Sequence, residues 1–179
     1  MRNKYFVLVY HVNTHKNISN VVDSYKNGSV ELYTSVEDGY WAGNGMYFWD
    51  NKGNANYWKK SRHNDYILKA DLKIDENYIL DFTDLDVVRH FETIWPLIAK
   101  KFHINGDATT PGKRINLICK FFDTVKVVKI NGYYPNMPES YFISGGRDGS
   151  SIPHMTVKAK TIFCVKDADL LDNIKEIDY

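Results

Sequence analysis

A histidine, a tyrosine and a pair of glycines stand at the ends of short apolar runs in this chain, and they are the residue types that a pocket for a planar ligand needs. The richest stretch is Gly39-Tyr40-Trp41-Ala42-Gly43-Asn44-Gly45-Met46-Tyr47-Phe48-Trp49-Asp50. Glycine carries no Cβ and tolerates positive φ, so Gly43 and Gly45 let the main chain turn sharply and come close to a ligand. Tyr47 and Phe48 then leave the turn on opposite faces of a strand, one toward the ligand and one toward the core. The same run admits a plainer reading, a hairpin turn followed by a buried aromatic strand.

A second segment supports the pocket. Tyr5-Phe6-Val7-Leu8-Val9-Tyr10-His11-Val12-Asn13-Thr14 is an apolar, β-prone run that ends in a histidine and small polar residues. A strand of this kind lies inside a sheet and delivers His11 at its C-terminal mouth. A short amphipathic helix over Ile18 to Tyr25 follows, with Asn17 or Ser19 as its cap. On its own, His11 also fits a buried histidine satisfied by a backbone carbonyl.

In this order the two segments resemble the ADP-ribosyltransferase superfamily, in the poly(ADP-ribose)-polymerase-like branch with a His-Tyr-Glu triad. Tyr10 to Thr14 is similar to the first motif, Gly43 to Phe48 to the second, and Asn54-Ala55-Asn56-Tyr57-Trp58 to the helix that follows. The resemblance is close over the first half of the chain and holds in outline over the second. It implies that NAD is the substrate. His11 would bond the adenosine ribose with Thr14 nearby, the backbone at Gly45 would grip the nicotinamide amide, and Tyr47 would stack on the nicotinamide ring. Asn13, Met46, Phe48 and Tyr57 complete the implied NAD contacts. Loss of nicotinamide passes through an oxocarbenium-like state, so such a site must hold NAD bent and oriented.

The third motif departs from the family. Its acid begins a late strand, polarises a ribose hydroxyl and steadies the developing positive charge. The matching strand is Lys160 to Asp167, where the acid's place falls on Ile162, or on Thr156 if the register slips. Neither is a carboxylate, and the resemblance then implies transfer of a single ADP-ribose, or loss of activity, rather than chain elongation. The loop before the strand, in the family the acceptor-recognising loop, offers Glu139 or Asp148 as a substitute acid and Arg147 for a phosphate or acceptor contact. All three also read as solvated loop charges.

The elements that must carry these residues make an α+β domain. Helices are predicted over Asn54 to Ser61, Leu85 to Lys101 with a bend or split at Pro96, and Gly112 to Phe122. Strands are predicted at Tyr66 to Leu72, Tyr78 to Phe82, Thr124 to Ile130 and Thr161 to Val165, with a last turn or short helix over Leu170 to Ile177. A chain of 179 residues suits one domain spanning 1–179. The expected arrangement is a single ADP-ribosyltransferase-like domain of two mostly antiparallel sheets around an NAD cleft.

Composition narrows the function classes. The 23 basic and 22 acidic side chains nearly cancel, which gives no strong nucleic-acid signature and leaves the acceptor as protein or nucleic acid. Two local clusters, Lys59-Lys60-Arg62-His63 and Lys113-Arg114-Lys120, line a polyanion or form solvated faces. Cys119 and Cys164 lie in apolar runs and read as buried free thiols, and the six histidines lack zinc spacing, so no metal is expected. No run approaches the length of a membrane span or a signal-peptide core, and a cytoplasmic location is expected.

The reading of the sequence is therefore a mono-ADP-ribosyltransferase with NAD as substrate and a macromolecular acceptor. By family analogy it resembles bacterial toxin or phage-defence effectors, which implies a neutralising antitoxin as partner. The alternative is a degenerate module that binds NAD or ADP-ribose without turnover. A third reading is an interaction domain in which His11 and Tyr47 are core residues.

Overall fold

The computed structural model describes residues 4–36, 41–62, 66–105, 109–138, 140–143 and 155–177. Among them, seven strands form one sheet and four α-helices flank it. The strands are β1 (Lys4–Asn13), β2 (Met46–Trp49), β3 (Tyr66–Asp75), β4 (Ile79–Asp81), β5 (Val127–Tyr133), β6 (Ala159–Val165) and β7 (Leu171–Ile177). The helices are α1 (His15–Lys26), α2 (Lys52–Arg62), α3 (Leu85–Lys101) and α4 (Pro111–Phe121). The strand order is β4-β5-β6-β2-β1-β3-β7, antiparallel throughout except for the β4–β5 pair.

The expectation of two sheets is corrected to one sheet with a weak seam. β1 pairs with β3 along its whole length, from Lys4↔Asp75 to Asn13↔Tyr66. β2 pairs with β6 from Met46↔Val165 to Trp49↔Ile162. Between these two well-laddered halves, β1 and β2 share a single registered pair, Tyr10↔Trp49. Continued pairing would place Phe48 opposite His11 and Tyr47 opposite Val12, so the strands part where the predicted site residues begin.

Alternation along β2 sends Met46 and Phe48 to one face of the sheet and Tyr47 and Trp49 to the other. The first face packs on α1, whose Ile18, Val21 and Val22 are buried at helical spacing against Val9, Phe48 and Phe163. The second face packs on α3 and α4 through Leu80, Ile98, Ile115, Ile118 and Val128. Each of these aliphatic side chains stabilises the fold by about 1.5 to 3 kcal/mol on full burial. A smaller third cluster, with Val12, Trp49, Ala55 and Ile162, seats α2 beside the seam.

The structure differs from the sequence expectations at several elements. Leu171–Ile177 is an edge strand on β3 and not a turn or helix. Its buried residues, Leu171 and Ile174, stand three apart as on a helix because a bulge intervenes, with Asn173 at φ 50 and the register shifting between Lys69 and Asp71. Pro96 lies inside one continuous α3 and does not split it. The cap of α1 is Thr14, whose hydroxyl accepts from Asn17 N–H at 3.5 Å, and not Asn17 or Ser19.

The turn before β2 is held from several sides. Gly43 has φ 78, a left-handed conformation that an L side chain rarely adopts. Asn44 N–H donates to Asn116 Oδ1 at 2.6 Å, and Asn116 Nδ2 donates back to Asn44 Oδ1 at 3.0 Å, tying the turn to α4. Lys166 Nζ donates to the Asn44 carbonyl, and the buried Cys164 thiol faces the Gly43 and Asn44 carbonyls. Gly45 lies against β6 so closely that a Cβ there would meet Cys164 Sγ and stand 2.8 Å from the Val165 carbonyl oxygen. Gly45→Ala is therefore expected to destabilise the protein by about 2 kcal/mol, seen as a lowered Tm in thermal unfolding. An unchanged Tm would contradict this account of the turn.

Candidate functional site

A cleft of about 440 Å³ opens at the β1/β2 seam. His11 and Asn13 reach it from β1, Tyr47 and Trp49 from β2, Ile162 from β6, and Trp58 from α2. Residues of both alternation parities of β1 line it, including Val12, as only a place where the sheet opens permits. Trp41 and Tyr134 close the aromatic wall, with Trp41–Tyr134 ring centroids 6.2 Å apart, Trp49–Tyr134 5.9 Å and Trp49–Trp58 5.7 Å.

His11 is the keystone of the seam. Its Nδ1–H donates to the Tyr47 carbonyl at 2.7 Å, a side chain bonding across the gap where the strands no longer pair. Because that partner is an acceptor, Nδ1 carries the proton and Nε2 accepts from Asn13 Nδ2 at 3.2 Å. Asn13 Oδ1 in turn accepts from Thr14 N–H at 2.8 Å and from Asn17 Nδ2 at 2.9 Å, which fixes the amide's orientation. Burial pushes the imidazole pKa down to about 4, against the opposing pull of the Tyr47 carbonyl, so His11 is neutral at pH 7. The plainer reading of His11, satisfied by a backbone carbonyl, describes its Nδ1; its Nε2 is held by Asn13, and both residues line the cleft.

Tyr47 presents its ring to the cleft while its hydroxyl donates to the Gly43 carbonyl. The rigid turn thereby sets the ring's position. Ile162 pairs with Trp49 and lines the cleft, 2% exposed. No carboxylate among the described residues lines the cleft. The substitute acid Glu139 lies outside the described residues, as do Arg147 and Asp148. Thr156 precedes β6 and accepts from Lys158 N–H at 3.0 Å.

Other assigned contacts are corrected. Met46 and Phe48 are fully buried on the opposite face, Phe48 beneath His11 with ring centroids 5.6 Å apart, because β2 alternates. Gly45 has both backbone groups engaged with Ser35, N–H to carbonyl at 3.2 Å and carbonyl to N–H at 3.0 Å, so it does not offer them to a ligand. Thr14 is exposed and caps α1. Tyr57 turns edge-on to Tyr134, at 5.8 Å between centroids, and its neighbour Trp58 takes the place in the cleft wall.

Sequence reasoning passed over Trp49, Trp58 and Lys160. Trp49 follows Tyr47 by two and shares its face, so strand period alone would have found it. Lys160 precedes Ile162 by two and is 2% exposed. Its ammonium donates to Asn54 Oδ1 at 2.7 Å and lies 5.1 Å from the Tyr57 ring centroid. Asn54 Nδ2 donates to Asp50 at 2.8 Å, so the amide relays between the buried cation and the carboxylate beside β2. Burial lowers the Lys160 pKa and Asp50 partly restores it. Lys160→Met keeps the stem but strands the Asn54 oxygen, and is expected to cost about 1 to 2 kcal/mol in denaturant unfolding. A neutral or stabilising result would show that the ammonium's desolvation outweighs its bonds.

Both thiols are free; Cys164 is buried and Cys119 half-buried, its pKa raised by burial and thus unsuited to nucleophilic attack at neutral pH. No helix among the described residues is long and apolar enough to cross a membrane. Comparison of the chain with family models, with curated proteins and with solved structures returns no match in any of the three.

Proposed function

We propose that the β1/β2 cleft binds NAD and that the protein transfers a single ADP-ribose from it to a macromolecular acceptor. The observation that carries this reading is the convergence of His11, Tyr47 and Ile162, drawn from three separate strands, on one aromatic-walled cleft at the seam of the sheet. Tyr47 supplies a stacking face for the nicotinamide. A ribose hydroxyl displaces Asn13 from His11 Nε2 and takes up the amide hydrogen that is released, so the pair offers one acceptor and one donor. The neutral, aromatic wall favours a ring that develops positive charge on the adjoining ribose, since aromatic faces attract cations.

A second reading has its own observation. With Ile162 where the family places its acid, and no described carboxylate lining the cleft, the pocket suits recognition of NAD or ADP-ribose without turnover. Incubation with NAD labelled in its adenylate part, beside lysate split into protein and nucleic-acid fractions, separates the two. Label entering one fraction supports the transferase and identifies its acceptor class; a rise in Tm with NAD but no label and no nicotinamide release supports the binder. Neither effect would leave the cleft without a nicotinamide ligand and overturn both. A bacterial toxin or defence effector with a neutralising partner is the setting in which such a transferase fits.

A further inference from the structure

Gly132 on β5 is not a wall of the seam cleft, yet walls of the cleft meet over it. The residue is buried, and its register partner on β6 is Lys160. A Cβ on Gly132 would stand 3.0 Å from Ile162 Cδ1, 3.1 Å from Trp41 Cζ3 and 3.2 Å from Tyr134 Cε2. All three of those residues line the cleft. Such separations are shorter than the optimal carbon–carbon contact of about 3.5 to 4.0 Å, so the three side chains rest in space that only glycine leaves open.

The three differ in how far they can give way. Ile162 is 2% exposed and held in β6 between Trp49 on β2 and Ile130 on β5. Tyr134 N–H donates to the Lys158 carbonyl at 3.0 Å, and its ring is hemmed in by Trp49, Tyr57 and Trp58, with centroids 5.8 to 6.4 Å away. The Lys160 ammonium lies 5.9 Å from the same ring. Trp41 instead stands between two spaces, since it lines the seam cleft and also a cavity of about 560 Å³ between α3, α4 and β5. Crowding at residue 132 is therefore relieved by the Trp41 ring, which has room to move. We propose that Gly132 is a positioning residue for the ligand of the seam cleft: by carrying no side chain it seats the Trp41 ring and so sets the width of the site. It touches no ligand and acts through Trp41. This inference rests on the reading of the cleft as an NAD site.

The test is calorimetric titration of NAD into the parent, Gly132→Ala, Ile162→Val and the double variant, each well below its Tm. Gly28→Ala is the control for lost stability alone. Gly28 follows α1 at φ 83 with no atom near enough to meet a Cβ, so alanine there strains the backbone without crowding a neighbour. Gly132→Ala is expected to weaken NAD about tenfold, whereas Gly28→Ala lowers Tm and leaves NAD affinity unmoved. Ile162→Val deletes Cδ1, the nearest of the three atoms, and lets a Cβ at 132 lean toward β6 and away from Trp41. The double variant should therefore bind NAD more tightly than the two single effects combined would give. Should Gly132→Ala not fold, the double variant is compared with Ile162→Val alone and is expected to bind NAD more weakly. Parent affinity in Gly132→Ala, additive effects at 132 and 162, an equal loss of affinity in Gly28→Ala, or a double variant that binds like Ile162→Val would overturn the positioning role and leave the NAD site standing. A parent protein that does not bind NAD would overturn the reading of the cleft, and this role with it.

Discussion

Replacement of Tyr47 by alanine is expected to reduce NAD-dependent labelling by roughly 100-fold or more, the scale on which losing a positioning contact acts on a reaction that depends on orientation. The ring lines the cleft and its hydroxyl is anchored on the Gly43 carbonyl, so its position is set by the turn that Asn44, Asn116 and Lys166 hold. Tyr47→Phe separates the two contributions. It keeps the stacking face and releases only the anchor, so labelling should stay within about tenfold of the parent while stability falls by about 1 kcal/mol. Tyr47 also packs against two of the hydrophobic clusters, and thermal unfolding of each variant is the necessary control. If NAD raises Tm but is not turned over, the same pair of variants applies to that shift, which Tyr47→Ala should remove and Tyr47→Phe should keep. A Tyr47→Ala protein that labels or binds NAD like the parent would refute the stacking role.

The parts of this arrangement that were legible in the sequence are those that depend on local period. The run after Gly45 alternates, so Tyr47 and Phe48 had to part, and the late strand expected over Thr161 to Val165 does run through Ile162. What local period does not carry is pairing between strands far apart. The seam between β1 and β2 is a tertiary fact, and one registered pair there makes one sheet of what reads as two. Bulges defeat period directly: Leu171 and Ile174 mimic helix spacing only because Asn173 is the extra residue. Polar residues with two uses are a third source of difference. Thr14 suits a ribose contact or a helix cap, and the cap prevails because α1 begins at the next residue and its first amides need an acceptor. The aromatic wall was visible as composition but not as a wall, since Trp41, Trp58 and Tyr134 come from a turn, a helix and the segment just after β5.

Acid should weaken the fold through His11, in a pH window set by its environment. The unfolded imidazole titrates near 6.5 and the folded one near 4, because burial disfavours the charged form. Above about pH 6.5 both states are neutral and the group has no effect on stability. As pH falls below that, the unfolded chain takes up a proton that the folded protein refuses, and stability declines by about 1.4 kcal/mol per pH unit. The loss is complete once pH passes below about 4, by which point it amounts to about 3 kcal/mol. Protonation has a structural consequence as well. The second N–H would face the Asn13 amide nitrogen, and Asn13 cannot simply turn over, because its oxygen already accepts from Thr14 N–H and Asn17. The cleft should therefore lose ligand affinity only as pH falls through about 4, where the folded protein's own imidazole takes up a proton, below the window in which the fold weakens. Denaturant unfolding between pH 4 and 7.5 measures the first effect, with His11→Asn as the control that keeps a donor toward the Tyr47 carbonyl but cannot titrate. Asp172, whose carboxyl is held down at about 2 by Lys73 and Tyr25, acts only below the ordinary carboxylate range and leaves the His11 window clear. If the parent and His11→Asn proteins lose stability in parallel between pH 6.5 and 4, the imidazole is not the group that senses acid, and its place as the bond across the β1/β2 seam has to be given up.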